Sequence, residues 1–264
     1  MNRIDERFKE LKSKNSRALI TFLTCGYPDM ETTEKLIYSL VDNGIDMIEL
    51  GVPFSDPIAD GPIIQYSSQM ALKNNVSLKN ILDLSKRLRK KVEIPLLIMG
   101  YLNPVYRFGI EKFFYECSSV GIDGVIIPDM ALEESIKYRN ILKNTGVHII
   151  SFIAPNTEEK RRREIINNSH GFIYIVSVTG VTGIRKEFPA NLKNFLNNIR
   201  MKTEKPLVVG FGISNPAQVK EIFDYIDGFI IGSALIDIIM KSDKKILYNR
   251  ITKFIRPFVG IKNG

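Results

Sequence analysis

Cysteine, histidine and long apolar runs are all scarce in this chain, and each scarcity removes a class of function. Only Cys25 and Cys117 occur in 264 residues, so no disulfide framework is on offer and a reducing compartment is expected. His148 and His170 are the only histidines, too few for a His-rich catalytic metal site, and no metal is expected. No apolar stretch approaches the roughly 18 residues that a membrane-spanning helix requires. The opening residues, Met1-Asn2-Arg3-Ile4-Asp5-Glu6-Arg7, carry acids and no apolar core, unlike a secretory signal or a typical transit peptide. A cytoplasmic protein is expected, or one of the plastid stroma if that organelle encodes it.

What is present is ordinary globular composition, 44% hydrophobic and 25% charged. Lys+Arg outnumber Asp+Glu by 37 to 29, a formal charge of +8. The excess gathers at Lys86, Arg87, Arg89, Lys90 and Lys91, and again at Lys160, Arg161, Arg162 and Arg163. Few aromatics accompany either cluster, so both read as solvated helix faces, and neither nucleic acid nor membrane is expected as a partner.

Short apolar runs alternate with amphipathic segments along the whole chain. The runs are Ala18–Thr24, Met47–Leu50, Pro95–Met99, Gly124–Ile127, His148–Ile153, Ile173–Val176, Leu207–Val209 and Gly228–Ile231. They lack polar alternation, as strands buried on both faces of a parallel sheet do. Between them, Ile110, Phe113, Phe114, Cys117 and Val120 share one helical face, as do Leu192, Phe195, Leu196 and Ile199. The segment from Met30 to Asn43 stops at Gly44, a C′ glycine. The alternation predicts one α/β domain over 1–264, a closed (β/α)8 TIM barrel with a short extra N-terminal helix. An open doubly wound sheet is the rival.

An Ile-Asp step enters three of these runs, at Asp46, Asp123 and Asp227, and reads as a repeated turn. The exits carry more chemistry, and the exit side is where barrel active sites are built. Glu49 ends an apolar strand with almost no polar company, which should raise its pKa and suit it to proton transfer. Asp56 and Asp60 follow on a loop stiffened by Pro53, Pro57 and Pro62. An acid/base pair is one reading; a buried structural Glu and an Asp that caps the next helix is the other.

Glycine-bearing turns leave the late strands: Thr179-Gly180-Val181-Thr182-Gly183, Gly210-Phe211-Gly212-Ile213-Ser214 and Gly232-Ser233. Backbone N–H groups there can approach an anion, and a helix starting near Ser233 turns its positive end toward it. Phosphate binding is the expectation. No lysine stands at a strand exit, which argues against a Schiff-base aldolase. Cys25 has no histidine partner at its exit and reads as a small buried residue.

The run from Glu49 to Pro62, with Tyr101-Leu102-Asn103-Pro104, Val178-Thr179-Gly180-Val181-Thr182-Gly183 and Gly210-Phe211-Gly212-Ile213-Ser214, closely resembles the tryptophan synthase alpha subunit family over essentially the whole chain. The resemblance implies a lyase of tryptophan biosynthesis that cleaves indole-3-glycerol phosphate by a retro-aldol reaction. It puts the catalytic carboxylates on Glu49 and Asp60, and phosphate binding on Gly183, Gly212, Gly232 and Ser233. Phe22, Met99, Ile126, Phe152, Tyr174 and Phe211 would form the indole pocket, and Thr182 and Gly183 would belong to a lid over Thr179–Pro189. It implies no cofactor in this chain, but a beta subunit carrying pyridoxal phosphate, an alpha2-beta2 tetramer and channelling of indole. The expected contacts with that partner are Pro53, Phe54, Asp56, Asn103, Pro104 and Asp129. A free-standing lyase releasing indole, or another phosphate-binding barrel such as a phosphosugar isomerase, are the alternatives.

Overall fold

A computed structural model describes residues 1–176, 188–210 and 212–263. Its strands are β1 (Ala18–Thr24), β2 (Met47–Gly51), β3 (Leu96–Met99), β4 (Gly124–Ile126), β5 (His148–Ile149), β6 (Ser151–Ile153), β7 (Ile173–Val176), β8 (Leu207–Gly210) and β9 (Gly228–Ile231). All pair in parallel, in the order β5-β4-β3-β2-β1-β9-β8-β7-β6. Helices stand between successive strands except β5 and β6, and an additional one, Arg3–Ser13, precedes β1.

The expected barrel differs at one strand. The run His148–Ile153 is two short strands rather than one, because its halves face different neighbours. His148 and Ile149 pair with Gly124 and Val125, whereas Ser151–Ile153 pair with Ile173–Ile175. Ile150 lies between them and donates its N–H to the Val125 carbonyl at 3.0 Å. One segment therefore joins both edges of the sheet, and the barrel closes through it.

Burial explains the uniform apolar runs. Every residue of β1, β2, β3, β4, β8 and β9 is buried, since one face fills the barrel and the other receives helices. The helical faces read from the sequence also turn inward: Ile110, Phe113, Phe114 and Cys117 on Ile110–Ser119, and Leu192, Leu196 and Ile199 on Leu192–Arg200. Gly44, at φ +87°, ends the helix Met30–Asp42.

The Ile-Asp entries have a definite structural task. Asp46 donates its N–H to the Leu19 carbonyl and accepts the Leu19 N–H on its carboxylate. Asp123 does the same with Leu96, and Asp227 with Leu207. Each aspartate clamps the start of the neighbouring strand, and each carboxylate is also met by cations. Lys262 and Arg7 reach Asp46, Arg89 and Arg3 reach Asp123, and Arg200 reaches Asp227. Arg89 is thus no solvated charge: its side chain is 15% exposed and also bonds the Gly121, Val92 and Ile94 carbonyls. The second basic cluster does sit on a surface helix, with Arg161 paired to Glu133 and Glu164, and Arg163 to Glu159.

Candidate active site

Strand register brings the sequence-derived residues to one mouth of the barrel. In parallel strands, paired residues point to the same face. Phe22, Glu49 and Leu97 are paired across β1, β2 and β3, and one pleat further on so are Thr24, Gly51, Met99 and Ile126. On the far wall Phe152 pairs with Tyr174, and Tyr174 with Val208. Two glycines make room for these aromatics. A Cβ on Gly51 would stand 2.4 Å from the Phe22 ring, and one on Gly210 would stand 2.1 Å from the Tyr174 hydroxyl. Gly210 thus owes its place to tyrosine clearance.

Glu49 is fully buried, and neither Oε1 nor Oε2 has a hydrogen-bond partner among the described residues. Burial raises its pKa to about 8, so it rests neutral near pH 7. A buried structural glutamate would be satisfied by nearby donors, and this one is not. Asp60 is 7% exposed, and burial raises its pKa to about 6 against the opposing pull of a hydrogen bond from Tyr101. It does not cap the helix that follows: Pro62–Lys73 starts from Gly61, with no side-chain cap. The Tyr174 hydroxyl feels both carboxylates, which, with its burial, hold it protonated well above its usual range.

A small cleft, with only about 10 Å³ of free cavity volume, opens beside Asp60, with Phe22, Thr24, Met99, Tyr101 and Pro128 in its walls. Two of the expected indole-pocket residues, Phe22 and Met99, line it. Ile126 is wholly buried beside Met99, and Phe152 lines a separate cavity of about 250 Å³ that shares Pro128 with the first. Phe152 and Tyr174 stack at a tilt with ring centroids 4.8 Å apart. Phe211, Thr182 and Gly183 lie outside the described residues.

Of the phosphate set, Gly212 adopts φ +92°, a conformation that favours glycine. Gly232 precedes the helix Ser233–Met240, whose first N–H groups have no partner within the helix itself. Gly232 also stands against Phe22, so an anion there would adjoin the aromatic wall. Ser233 is buried at the helix start.

On the loop after β2, Asp56 is exposed and paired with the Ser55 hydroxyl. Asn103 and Asp129 are also exposed, while Phe54 and Pro104 are half-buried. Pro53 is buried in the chain by itself. Tyr101 was missed as a site residue, although it opens one of the motifs quoted above; only its bond to Asp60 reveals it. Cys25 is buried with its thiol pushed far up by desolvation, an inert group. No group of three or more His, Cys, Asp and Glu among the described residues is placed to hold a metal ion.

A parallel barrel that carries a neutral buried glutamate within β2 and a second carboxylate on the loop after it, near a glycine-flanked helix start, has the layout of a barrel enzyme with its chemistry at one mouth. Sequence comparison names the family: the description "Tryptophan synthase alpha chain" matches residues 8–258, and the chain belongs to that family. The alpha chain of Alkaliphilus metalliredigens is 43% identical over 264 residues, covering 100% of this chain and 99% of its own. That of Thermoanaerobacter pseudethanolicus is 42% identical over 261 residues, 99% and 98% of the two chains. Among solved structures, Legionella pneumophila tryptophan synthase subunit alpha superposes with TM-score 0.89 at 32% identity, covering 100% of both chains. A Mycobacterium tuberculosis tryptophan synthase chain reaches 0.91 at 28% identity, covering 100% and 99%. The family's reaction is cleavage of indole-3-glycerol phosphate to indole and glyceraldehyde 3-phosphate, and the alpha chain uses no cofactor of its own.

Proposed function

We propose that Glu49 and Asp60 carry this cleavage, with the whole chain, 1–264, acting as one catalytic domain. The observation that carries the reading is the Glu49 carboxyl: buried, unpartnered among the described residues, and neutral near pH 7 in the middle of β2, one pleat before its exit. No imine or metal holds the electrons in this reaction, so the indole ring must serve as the sink. Glu49 delivers its proton to ring carbon C3, and the ring nitrogen becomes cationic. Asp60, ionised, accepts a hydrogen bond from that N–H and stabilises the charge. Glu49, now a carboxylate, takes the proton of the side-chain hydroxyl next to C3. The C3 bond to that carbon breaks, its electrons return to the ring, and a carbonyl forms. Glu49 ends protonated, as it began.

Gly183, Gly212, Gly232 and Ser233 hold the phosphate, whose binding supplies orientation rather than chemistry. Phe22, Met99, Ile126, Phe152, Tyr174 and Phe211 form the ring pocket, and Thr182 and Gly183 belong to the covering loop. The partner is a beta subunit carrying pyridoxal phosphate, in an alpha2-beta2 tetramer in the cytoplasm, and it receives indole directly. No helix of the described residues is long and apolar enough to cross a membrane. Phe54, Asp56, Asn103, Pro104 and Asp129 face that partner.

Indole release from indole-3-glycerol phosphate is the direct test. Glu49→Gln should lower kcat by about 10²–10⁴-fold, the scale of general acid–base groups, and Asp60→Asn by a comparable factor. Near-normal turnover in Glu49→Gln would remove it as the proton shuttle. A rise in KM alone for Asp60→Asn would make Asp60 a binding group.

A further inference from the structure

The geometry points to Tyr101 as the positioning residue for Asp60, its hydroxyl fixing which carboxylate oxygen is left for the substrate. Three contacts converge on this side chain. The Ala59 N–H donates to the Tyr101 oxygen at 3.0 Å, and the Tyr101 hydroxyl donates to Asp60 Oδ2 at 3.0 Å. Because the oxygen already accepts from Ala59, its single hydrogen is directed at Asp60. The Tyr101 ring is stacked on Phe54, centroids 5.3 Å apart and planes 30° apart.

The base under Tyr101 is itself fixed. Its neighbour Leu102 starts the helix Leu102–Phe108, and the Leu102 N–H is held by Asp129 Oδ1 at 2.9 Å. The loop is pinned at its other end as well, since Phe54 donates its N–H to Ser68 Oγ at 2.7 Å and accepts from that hydroxyl through its carbonyl. Between these two anchors Ser55, Asp56 and Ile58 are exposed. The Asp60 backbone donates its N–H to the Pro57 carbonyl and accepts from Gln65 Nε2, whereas its carboxylate is held by the Tyr101 hydroxyl. With Oδ2 engaged by the phenol, Oδ1 is the oxygen available to an indole N–H in the adjoining cavity, whose walls include both Asp60 and Tyr101.

The phenol does two things for the reaction. It holds the carboxylate in one orientation, and its hydrogen bond favours the ionised form against the burial that disfavours it. The titratable groups around Asp60 among the described residues are Tyr101, Tyr174 and Glu49, with Asp129 beyond Tyr101. None is a cation, which leaves the phenol as the group that offsets desolvation.

This inference rests on the reading of Asp60 given above, and the test separates the two. Tyr101→Phe keeps the ring and its stack and removes only the hydroxyl. Its kcat should fall by about 10- to 100-fold, the scale of one hydrogen bond to a charged group, with KM little changed. The acid limb of its kcat/KM profile should move to higher pH, so the deficit narrows as pH rises. Combining Tyr101→Phe with Asp60→Asn should cost no more than Asp60→Asn alone, because the hydroxyl acts only through that carboxylate. Near-UV circular dichroism and inhibition by glycerol 3-phosphate report whether the variant has kept its fold. Should Tyr101→Phe disturb the loop, Ser68→Ala releases its other anchor and should leave the acid limb in place. Wild-type kcat and an unmoved acid limb in Tyr101→Phe, with Asp60→Asn inactive, overturn the role of Tyr101. A near-normal Asp60→Asn overturns the reading of Asp60 itself, and Tyr101 with it.

Discussion

The Glu49 side chain sets a conflict between stability and catalysis that pH can expose. A carboxyl buried without partners is tolerated in its neutral form, and ionising it inside the barrel is costly. Its folded pKa of about 8 lies above its ordinary value of 4.5, so between those values the folded state holds a proton that the unfolded chain has released. Stability from this group is full below pH 4.5 and is lost as pH rises through about 8. Asp60, raised from 3.8 to about 6, contributes in the same direction over a lower window. Glu49→Gln, with an uncharged isostere, should therefore unfold at a higher temperature than the parent. The gain should be nearly absent near pH 4.5 and grow to about 3–5 kcal/mol by pH 8, as thermal melts across that range will show. The proposed mechanism requires the opposite balance: Glu49 protonated to begin, and Asp60 ionised. The kcat/KM profile should form a bell that falls below about pH 6 and above about pH 8. A profile flat through pH 8 would place the proton donor elsewhere. The sequence made Glu49 legible because an acid inside an apolar strand is conspicuous, whereas Tyr101 was hidden because a buried aromatic at a strand exit resembles ordinary core.

At the level of elements, the barrel was readable from periodicity since each strand is apolar throughout and each helix has one apolar face. The division of His148–Ile153 was not readable, because pairing partners are a tertiary property and both halves are equally apolar. The Ile-Asp entries were visible as a repeat, but their purpose depends on a residue in the neighbouring strand. That purpose yields a ranking. Removing Asp123 strands Arg89 and the Leu96 N–H in a buried setting, and removing Asp46 strands Lys262, Arg7 and the Leu19 N–H. Breaking one side of such a buried pair costs about 3–5 kcal/mol. Asp227 is 30% exposed, and water can replace part of what it supplies to Arg200 and Leu207. Urea unfolding of Asp46→Ala and Asp123→Ala should therefore show losses near that scale, with Asp227→Ala clearly smaller. All three lie at strand starts, on the face away from the proposed site, so the folded fraction of each should keep its KM. A changed KM in these variants would show that the strand starts govern the exits.

At the level of the whole molecule, the exit face combines a reactive cavity with a loop whose middle is exposed while its two ends are tied down. Ser68 holds Phe54, Tyr101 holds Ala59 and Asp60, and Ser55, Asp56 and Ile58 face solvent between them. Ile58 is 75% exposed and Tyr66, on the helix Pro62–Lys73, 45% exposed, and both line one surface cleft with Asp56, so apolar surface flanks the Asp56 charge. Such a patch suits a partner that covers apolar area and pairs with one central carboxylate. Indole is small, apolar and able to leak through membranes, so a partner seated here would also guard the product. In the proposed assembly, a protein that grips this segment would pull on a strip of chain whose far end is Asp60, four residues along, and so bias the carboxylate to which catalysis is assigned above. Truncating one member of a desolvated charged pair costs about 2–5 kcal/mol, enough to appear in both affinity and activation. Asp56→Ala should accordingly keep most of its basal indole release when assayed alone, since Asp56 is outside the cavity walls. Added beta subunit should activate it far less than the parent, and titration should show weaker association. Full activation of Asp56→Ala would move the coupling to another residue of this face. If the parent chain showed neither association nor activation with any beta subunit, release of free indole by the isolated lyase would be the better account.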